Sequence, residues 1–436
     1  MLEMTDPKRA LAAGLVLTLS LSACMGGTGD SGKDAAAGYD PNATVELTWW
    51  TGQTEVAEAT AEKLAAEYHA LHPNVTIKTS PGASVADELL TKLSAGFAGG
   101  TYPDISYAFG SWAGDLAASG KAQDLTEFVN TPEFKWTEIP EAARQTATVD
   151  GKVVAVPALV DNLALIYNKE LFDKAGLAYP TDQWSWDDFR NAAKKLTDPA
   201  TNTYGTAYSV SGSEDTTWHL WPLLWQQGGK ILDGNTPAFA SPQGVAALET
   251  LRVMAVDDKS MYLDQTDEKY LPLFNSGRVG MVISGPWALL ELKEAGIAYD
   301  VTALPGFNGD HQTVSGPDLW VLLDHQDPNR AGAARDFIAW MTSAETDAKW
   351  NLALGNLPLR STEAHSPEFA AYTKEWPGSQ KFFDNLANAK QARPTVSGYA
   401  QLSRNVGDAI AKVLQGAATS QEALDEAAKK SAGLVG

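Results

Sequence analysis

From Thr44 to Ser119 the chain switches repeatedly between a period of two and a period near 3.6, and that alternation restricts the fold more than any other feature. Thr44 to Trp50 (TVELTWW) alternates and is β-rich, which predicts a strand. Glu55 to His72 places Ala61, Leu64, Ala65, Tyr68 and Leu71 on one helical face, and Pro73 ends it. Asn74 to Thr79 predicts a second strand, Ser84 to Phe97 a second helix, Asp104 to Phe109 a third strand and Trp112 to Ser119 a short helix. Strands that alternate with helices build an open, largely parallel sheet. Ligands bind such sheets outside the carboxyl ends of the strands. Here those ends are Gln53 with Thr54, and Phe109 to Trp112, which includes Ser111.

The same grammar recurs downstream. Val156 to Leu177 contains an apolar run of strand length, Leu163 to Tyr167, then a helical Asn168 to Ala175 that stops at Gly176. Asp161 precedes that strand, so its carboxylate sits at the mouth of a sheet rather than in a core. Ser185 followed by Trp186-Asp187-Asp188 predicts a capped helix start, with the acids serving the helix end. Val279 to Ser284 predicts a strand running into Gly285-Pro286-Trp287, and Thr419 to Glu422 a capping box. Trp218, Trp221 and Trp225 fall roughly on one helical face; the last two read as core, while Trp218 is at the start.

The N-terminus is of another kind. Leu11 to Ala23 is an apolar run too short to span a bilayer, and it ends in Leu21-Ser22-Ala23-Cys24. A charged start, a short apolar core and small residues before the cut describe a secretory signal peptide. Cys24 is the only cysteine, so the fold uses no disulfide. Met25 to Ala43 is rich in Gly, Ala and Asp without periodicity and reads as a flexible tether. The ~390 residues that follow exceed what one core usually supports, so two domains are expected. The net charge of −21 would repel nucleic acid and anionic lipid. Fourteen tryptophans suit both cores and a site that stacks on flat apolar faces.

Several segments together resemble the extracellular solute-binding proteins of ABC importers, in the carbohydrate-binding group that includes maltose-binding protein. They are LIYNKELFDKAGL (residues 165–177 with Leu165 first), the Gly285-Pro286-Trp287 turn, and Gly355-Asn-Leu-Pro-Leu-Arg360. Leu-Ser-Ala-Cys24 resembles the bacterial lipobox, where the cysteine is lipidated and becomes the mature N-terminus. The resemblance implies an α/β, two-lobe periplasmic-binding-protein-like fold whose chain crosses the hinge three times. The expected organisation is a signal peptide (1–23), a lipidated cysteine and tether (24–43), lobe 1 (44–158 and 316–361) and lobe 2 (159–315 and 362–436).

It also implies hinge closure around a carbohydrate and delivery to transmembrane permease subunits. Gln53, Thr54, Ser111, Asp161, Asn162, Gly316, Asp318, Arg360 and Arg393 are the expected polar contacts, with Trp112, Trp218, Trp287 and Tyr399 as ring-stacking partners. The family often has paired glycines where this chain has Gly316-Pro317, so its loop shape departs there. The implied protein is a monomer, lipid-anchored on the extracytoplasmic face of the cell membrane.

Two other readings use the same residues. One is a binder of glycerophosphocholine or a similar phosphodiester, with aromatics around the choline and Arg360 or Arg393 on the phosphate. The other is a secreted carbohydrate-active enzyme, which needs two carboxylates at a set separation. No cofactor or metal is expected. Gly114 to Lys121 has the wrong spacing for a phosphate loop, and Ser111 is not central in a nucleophile elbow. His69 and His72, three apart before a Pro-terminated turn, read as a solvated face.

Overall fold

A computed structural model describes residues 38–83 and 88–435. The signal segment, Cys24 and most of the expected tether lie outside the described residues. So do the first four residues of the helix expected from Ser84; the described helix is Leu89–Gly99.

Ten strands make two five-stranded sheets. In chain order they are β1 (Val45–Trp50), β2 (Val75–Ser80), β3 (Ile105–Phe109), β4 (Val156–Leu159), β5 (Ala164–Asn168), β6 (Tyr204–Ser209), β7 (Met261–Asp264), β8 (Val279–Ser284), β9 (Tyr299–Thr302) and β10 (Asp318–Leu322). The first sheet has the order β2-β1-β3-β10-β4, the second β7-β6-β8-β5-β9. In each, three strands run parallel and the fourth in spatial order runs against both neighbours. That reversed strand is the first one the chain enters after changing sheets, β5 in one direction and β10 in the other. Its amino end therefore lies beside the carboxyl ends of its neighbours.

Local sequence explains the elements. In β1, Leu47 and Trp49 are fully buried while Glu46 is exposed, the period-two pattern of a covered strand face. In β5 the alternation separates two cores: Leu165 and Tyr167 pack on one side of the sheet, Ala164 and Ile166 on the other. The helix Lys169–Ala175 ends at Gly176 with φ 64°, the left-handed cap that glycine adopts without strain. Ser185 and Asp188 form a reciprocal capping box, so the Asp187-Asp188 pair serves a helix end. Thr419 and Glu422 form another. The stretch carrying Trp218, Trp221 and Trp225 is two short helices, Glu214–Trp218 and Trp221–Gln226, so Trp218 ends a helix rather than starting one.

Most tryptophans are spent on packing. Trp49 meets Trp320 edge to face at 5.1 Å and Phe337 at 5.3 Å, with Trp350 at 6.3 Å, in the heart of the first lobe. Such aromatic pairs are worth roughly 0.5–1.5 kcal/mol beyond their buried area. Trp221 is fully buried and Trp225 nearly so, in the second lobe. His69 Nδ1 lies 2.6 Å from the Val75 carbonyl and His72 stacks on Tyr68, so each ring has local work.

Between the sheets, segments from three parts of the chain lie side by side. Asn162 bridges Ser315, and Val160 bridges Leu357. Both lobes meet at this ribbon.

Candidate functional site

The cleft lies where the strand ends of the two sheets face each other. It encloses about 370 Å³. Its walls include Gln53 after β1, Tyr107 and Phe109 of β3, Leu159 of β4, Asp161 before β5, and Gly316 and Asp318 at the entry of β10. The second lobe contributes Glu214, Asp215 and Trp218 after β6, Asp267 and Tyr270 after β7, Trp287 after β8, and Arg393. The placement follows from topology: carboxyl ends of parallel strands and the amino end of each reversed strand open on one side.

Two aromatic rings define the apolar wall. Trp218 and Trp287 stack with centroids 5.5 Å apart and planes 29° apart. Trp287 folds over Gly285, where a Cβ would sit 1.8 Å from Trp287 Cζ3, so only glycine leaves room for the ring. Trp218 is wedged at the other edge against Gly316, whose Cβ would lie 2.6 Å from Trp218 Cζ2. The Arg393 guanidinium covers Trp218 at 5.6 Å.

The polar wall is acidic. Five carboxylates (Asp161, Glu214, Asp215, Asp267 and Asp318) and one guanidinium, Arg393, line the cleft. Asp161 Oδ1 accepts from the Gly316 N–H at 3.0 Å. Burial first, and then the Asp318 charge, push the Asp161 carboxyl well above its ordinary value, against the pull of Arg393 and of the Gly316 N–H. Tyr107 donates its hydroxyl to Asp318 Oδ2. Burial and the Asp318 charge hold that phenol well above its usual value, so it stays a donor.

On the facing wall, Arg393 Nη1 donates to Glu214 Oε1 at 2.7 Å, and both side chains are largely buried. Burial works against the Arg393 charge, but Glu214, Tyr399 and Asp318 outweigh it and raise its pKa. Asp267 accepts from the hydroxyls of Ser209, Ser211 and Ser213, which pins the loop after β6. Burial raises the Asp215 carboxyl, with His219 opposing and Asp267, Glu214 and Asp264 adding.

The structure brings Gln53, Asp161, Trp218, Trp287, Gly316, Asp318 and Arg393 together at this cleft. It does not bring the other expected contacts there. Thr54 is exposed beside the start of the helix Glu55–Leu71. Ser111 and Trp112 are buried in the first lobe, Trp112 behind Phe109 at 4.7 Å; the ring that reaches the cleft is Phe109. Asn162 is fully buried, donating to the Phe382 carbonyl at 2.8 Å and accepting from Asn385 at 2.7 Å. Tyr399 is fully buried one layer behind the wall, accepting from Trp221 Nε1 and donating to Glu214. Arg360 points away from the cleft: its guanidinium donates to the carbonyls of Phe134, Lys135 and Thr342. It satisfies the buried carbonyls of Phe134 and Thr342, so its hydrogen bonds serve the fold rather than the cleft.

Sequence reasoning passed over Tyr107, Leu159, Glu214, Asp215, Asp267, Tyr270 and Asn356. Tyr107 carried a signal, because it shares a strand face with Phe109 two residues on. Glu214 and Asp215 stand in the same short helix as Trp218. Asp267 and Tyr270 follow a strand that periodicity did not reveal.

Residues 51–348 match the profile of the family described as bacterial extracellular solute-binding protein. The cyclic α-maltosyl-1,6-maltose binding protein of Arthrobacter globiformis is 27% identical in a structural superposition covering 89% of this chain and 97% of that one, with a TM-score of 0.75. UgpB of Mycobacterium tuberculosis, in complex with glycerophosphocholine, superposes over 89% of this chain and 97% of its own with a TM-score of 0.79; at 17% identity that likeness shows the fold alone. An uncharacterised lipoprotein of Streptomyces antibioticus is 29% identical over 369 residues, 80% of this chain and 77% of that protein.

Proposed function

The chain belongs to the bacterial extracellular solute-binding proteins, and from that premise we propose that its cleft captures a carbohydrate, a disaccharide or oligosaccharide, for an ABC importer. The observation that carries this reading is the stacked pair Trp218–Trp287 beside Asp161 and Asp318. A sugar ring has apolar C–H faces and a rim of hydroxyls. Indole faces cover the former, and carboxylates accept hydrogen bonds from the latter. A volume of about 370 Å³ lies within the usual range for small-ligand sites, roughly 300–1,000 Å³.

The proposed cycle is hinge closure. The lobes, 44–158 with 316–361 and 159–315 with 362–436, would turn about the ribbon at residues 160–162, 315–316 and 357. The closed form would then dock on permease subunits as a monomer. Lipidation of Cys24 would hold it at the extracytoplasmic face of the membrane. The named relatives support solute capture, and one binds a maltose-derived cyclic sugar. In this reading the cleft holds its ligand and does not turn it over.

A second reading, capture of glycerophosphocholine or a similar phosphodiester, draws on the aromatic pair, which could surround a choline. It is weakened by Arg393, whose guanidinium is already paired with Glu214. Isothermal titration of residues 44–436 with mono- and oligosaccharides beside glycerophosphocholine decides between them. One-to-one sugar binding without product is the expected result. Binding of the phosphodiester alone would overturn the sugar assignment, and glycan cleavage would overturn transport. Mass spectrometry of the membrane-extracted N-terminus tests the lipid: an acylated Cys24 is expected, and an unmodified thiol refutes the anchor.

A further inference from the structure

We infer that the cleft selects its ligand by charge, favouring amine-bearing sugars over neutral ones and rejecting anionic ones, and that Glu214 sets this sign by occupying Arg393. The inference deepens the sugar-binding reading and rests on it.

Arg393 is the one cation among the described residues lining the cleft. Left alone, a buried guanidinium between an indole face and a cavity would be a receptor for phosphate or carboxylate. It is not left alone. Glu214 takes Nη1 at 2.7 Å, and Glu214 is itself fixed from behind by Tyr399 at 3.3 Å and by the Ser403 hydroxyl. The partners of Glu214 come from the helix Tyr399–Leu414, which packs on the short helix that carries Glu214, so the pair is built into the lobe rather than formed by chance rotamers.

Besides the paired Glu214 and Arg393, the walls carry the acids Asp161, Asp215, Asp267 and Asp318. An anion entering the cleft would meet these, and the one cation among the described lining residues is already engaged by Glu214. A ligand ammonium would meet two of the acids, Asp161 and Asp318, beside the partly exposed Trp287 ring, whose π face also attracts cations. Burial and Asp318 already keep the Asp161 carboxyl well above its ordinary value, opposed by Arg393 and the Gly316 N–H, so the empty wall has repulsion that a positive charge would relieve.

The test is calorimetry on the wild-type chain with glucose, glucosamine and glucose 6-phosphate, and with cellotriose against the chitosan trimer of the same linkage. The amine member of each pair is expected to bind about tenfold tighter at low salt, and the gap to narrow at high salt. Glucose 6-phosphate is expected to bind at least about tenfold more weakly than glucose. Glu214→Gln frees Arg393 and should raise glucose 6-phosphate affinity about tenfold over wild type. Asp318→Asn removes the same charge but leaves Arg393 paired, and should raise it by less than about threefold. Equal gains in both variants would refute the role of Glu214. Neutral sugars binding as tightly as their amine partners would overturn the selector while leaving sugar capture intact. No binding by any sugar would overturn sugar capture and this inference together. Circular dichroism and melting curves verify that each variant is folded, and the wild-type series stands if one is not.

Discussion

The amide N–H of Gly316 donates to Asp161 Oδ1 at 3.0 Å, joining two inter-lobe segments 155 residues apart in sequence at the wall of the cleft. A Cβ on Gly316 would lie 2.6 Å from Trp218 Cζ2 and 2.9 Å from Asp161 Oδ1. Gly316→Ala must therefore push Trp218 out of its stack or break the hydrogen bond. The expected cost is about 1–3 kcal/mol of overpacking, with a lower melting temperature. Sugar affinity should fall at least about tenfold. Calorimetry and a thermal melt read both; unchanged affinity would mean that Trp218 does not touch the ligand.

Trp287 is half-buried, packed over Gly285 on one side and stacked on Trp218 on the other. Trp287→Ala takes away half of the aromatic wall. If a sugar ring rests there, binding should weaken by about 1.5–3 kcal/mol, roughly ten- to a hundredfold. Stability should change less than affinity, because the residue is only partly buried. Titration of the same sugar panel measures this.

Arg360→Ala should behave oppositely. The guanidinium satisfies the carbonyls of Phe134, Lys135 and Thr342 from a side chain only 4% exposed. Its loss leaves the Phe134 and Thr342 acceptors buried without a donor and strips Glu138, Asp347 and Glu363 of a nearby positive charge. A destabilisation of about 3–5 kcal/mol is expected in denaturant titration. The folded fraction should bind ligand within about twofold of wild type. A selective loss of affinity would return Arg360 to the cleft.

Asp347 and Glu363 make a buried acid pair beside Arg360. Burial raises Asp347 to about 6; burial, with the charge of Asp347, raises Glu363 to about 10. The folded protein thus keeps protons that the unfolded chain has released. Their stabilisation is complete below the ordinary carboxylate range and is lost as pH rises toward about 10. Wild-type melting temperature should fall between about pH 5 and about pH 9, and Glu363→Gln should flatten that slope. A slope identical in the variant would place the titration elsewhere.

Much of the scaffold was legible because local rules and tertiary demands agree. Gly176 needed a left-handed cap, Ser185 and Thr419 needed capping partners three residues on, and β1 alternated as its burial requires. Asp161 and Trp287 were legible as strand-end residues, since a strand end fixes where a side chain emerges; Asp318 was legible only through the family resemblance. Arg360 and Tyr399 were not. Whether a polar side chain faces a cavity or a buried carbonyl depends on what packs behind it, from residues 134–135 and 342 for one and residue 221 for the other. Trp112 failed for a related reason: the neighbouring Phe109 takes the outward position and leaves the indole in the core.

The central place of β10 has a consequence for synthesis. Residues 318–322 pair with β3 on one side and β4 on the other. Until they leave the ribosome, the first sheet is two fragments with open edges, however much of the preceding chain has emerged. The amino-terminal lobe therefore cannot complete its sheet in the order in which it is made, and the facing edges of β3 and β4 stay unpaired until residues 318–322 are added.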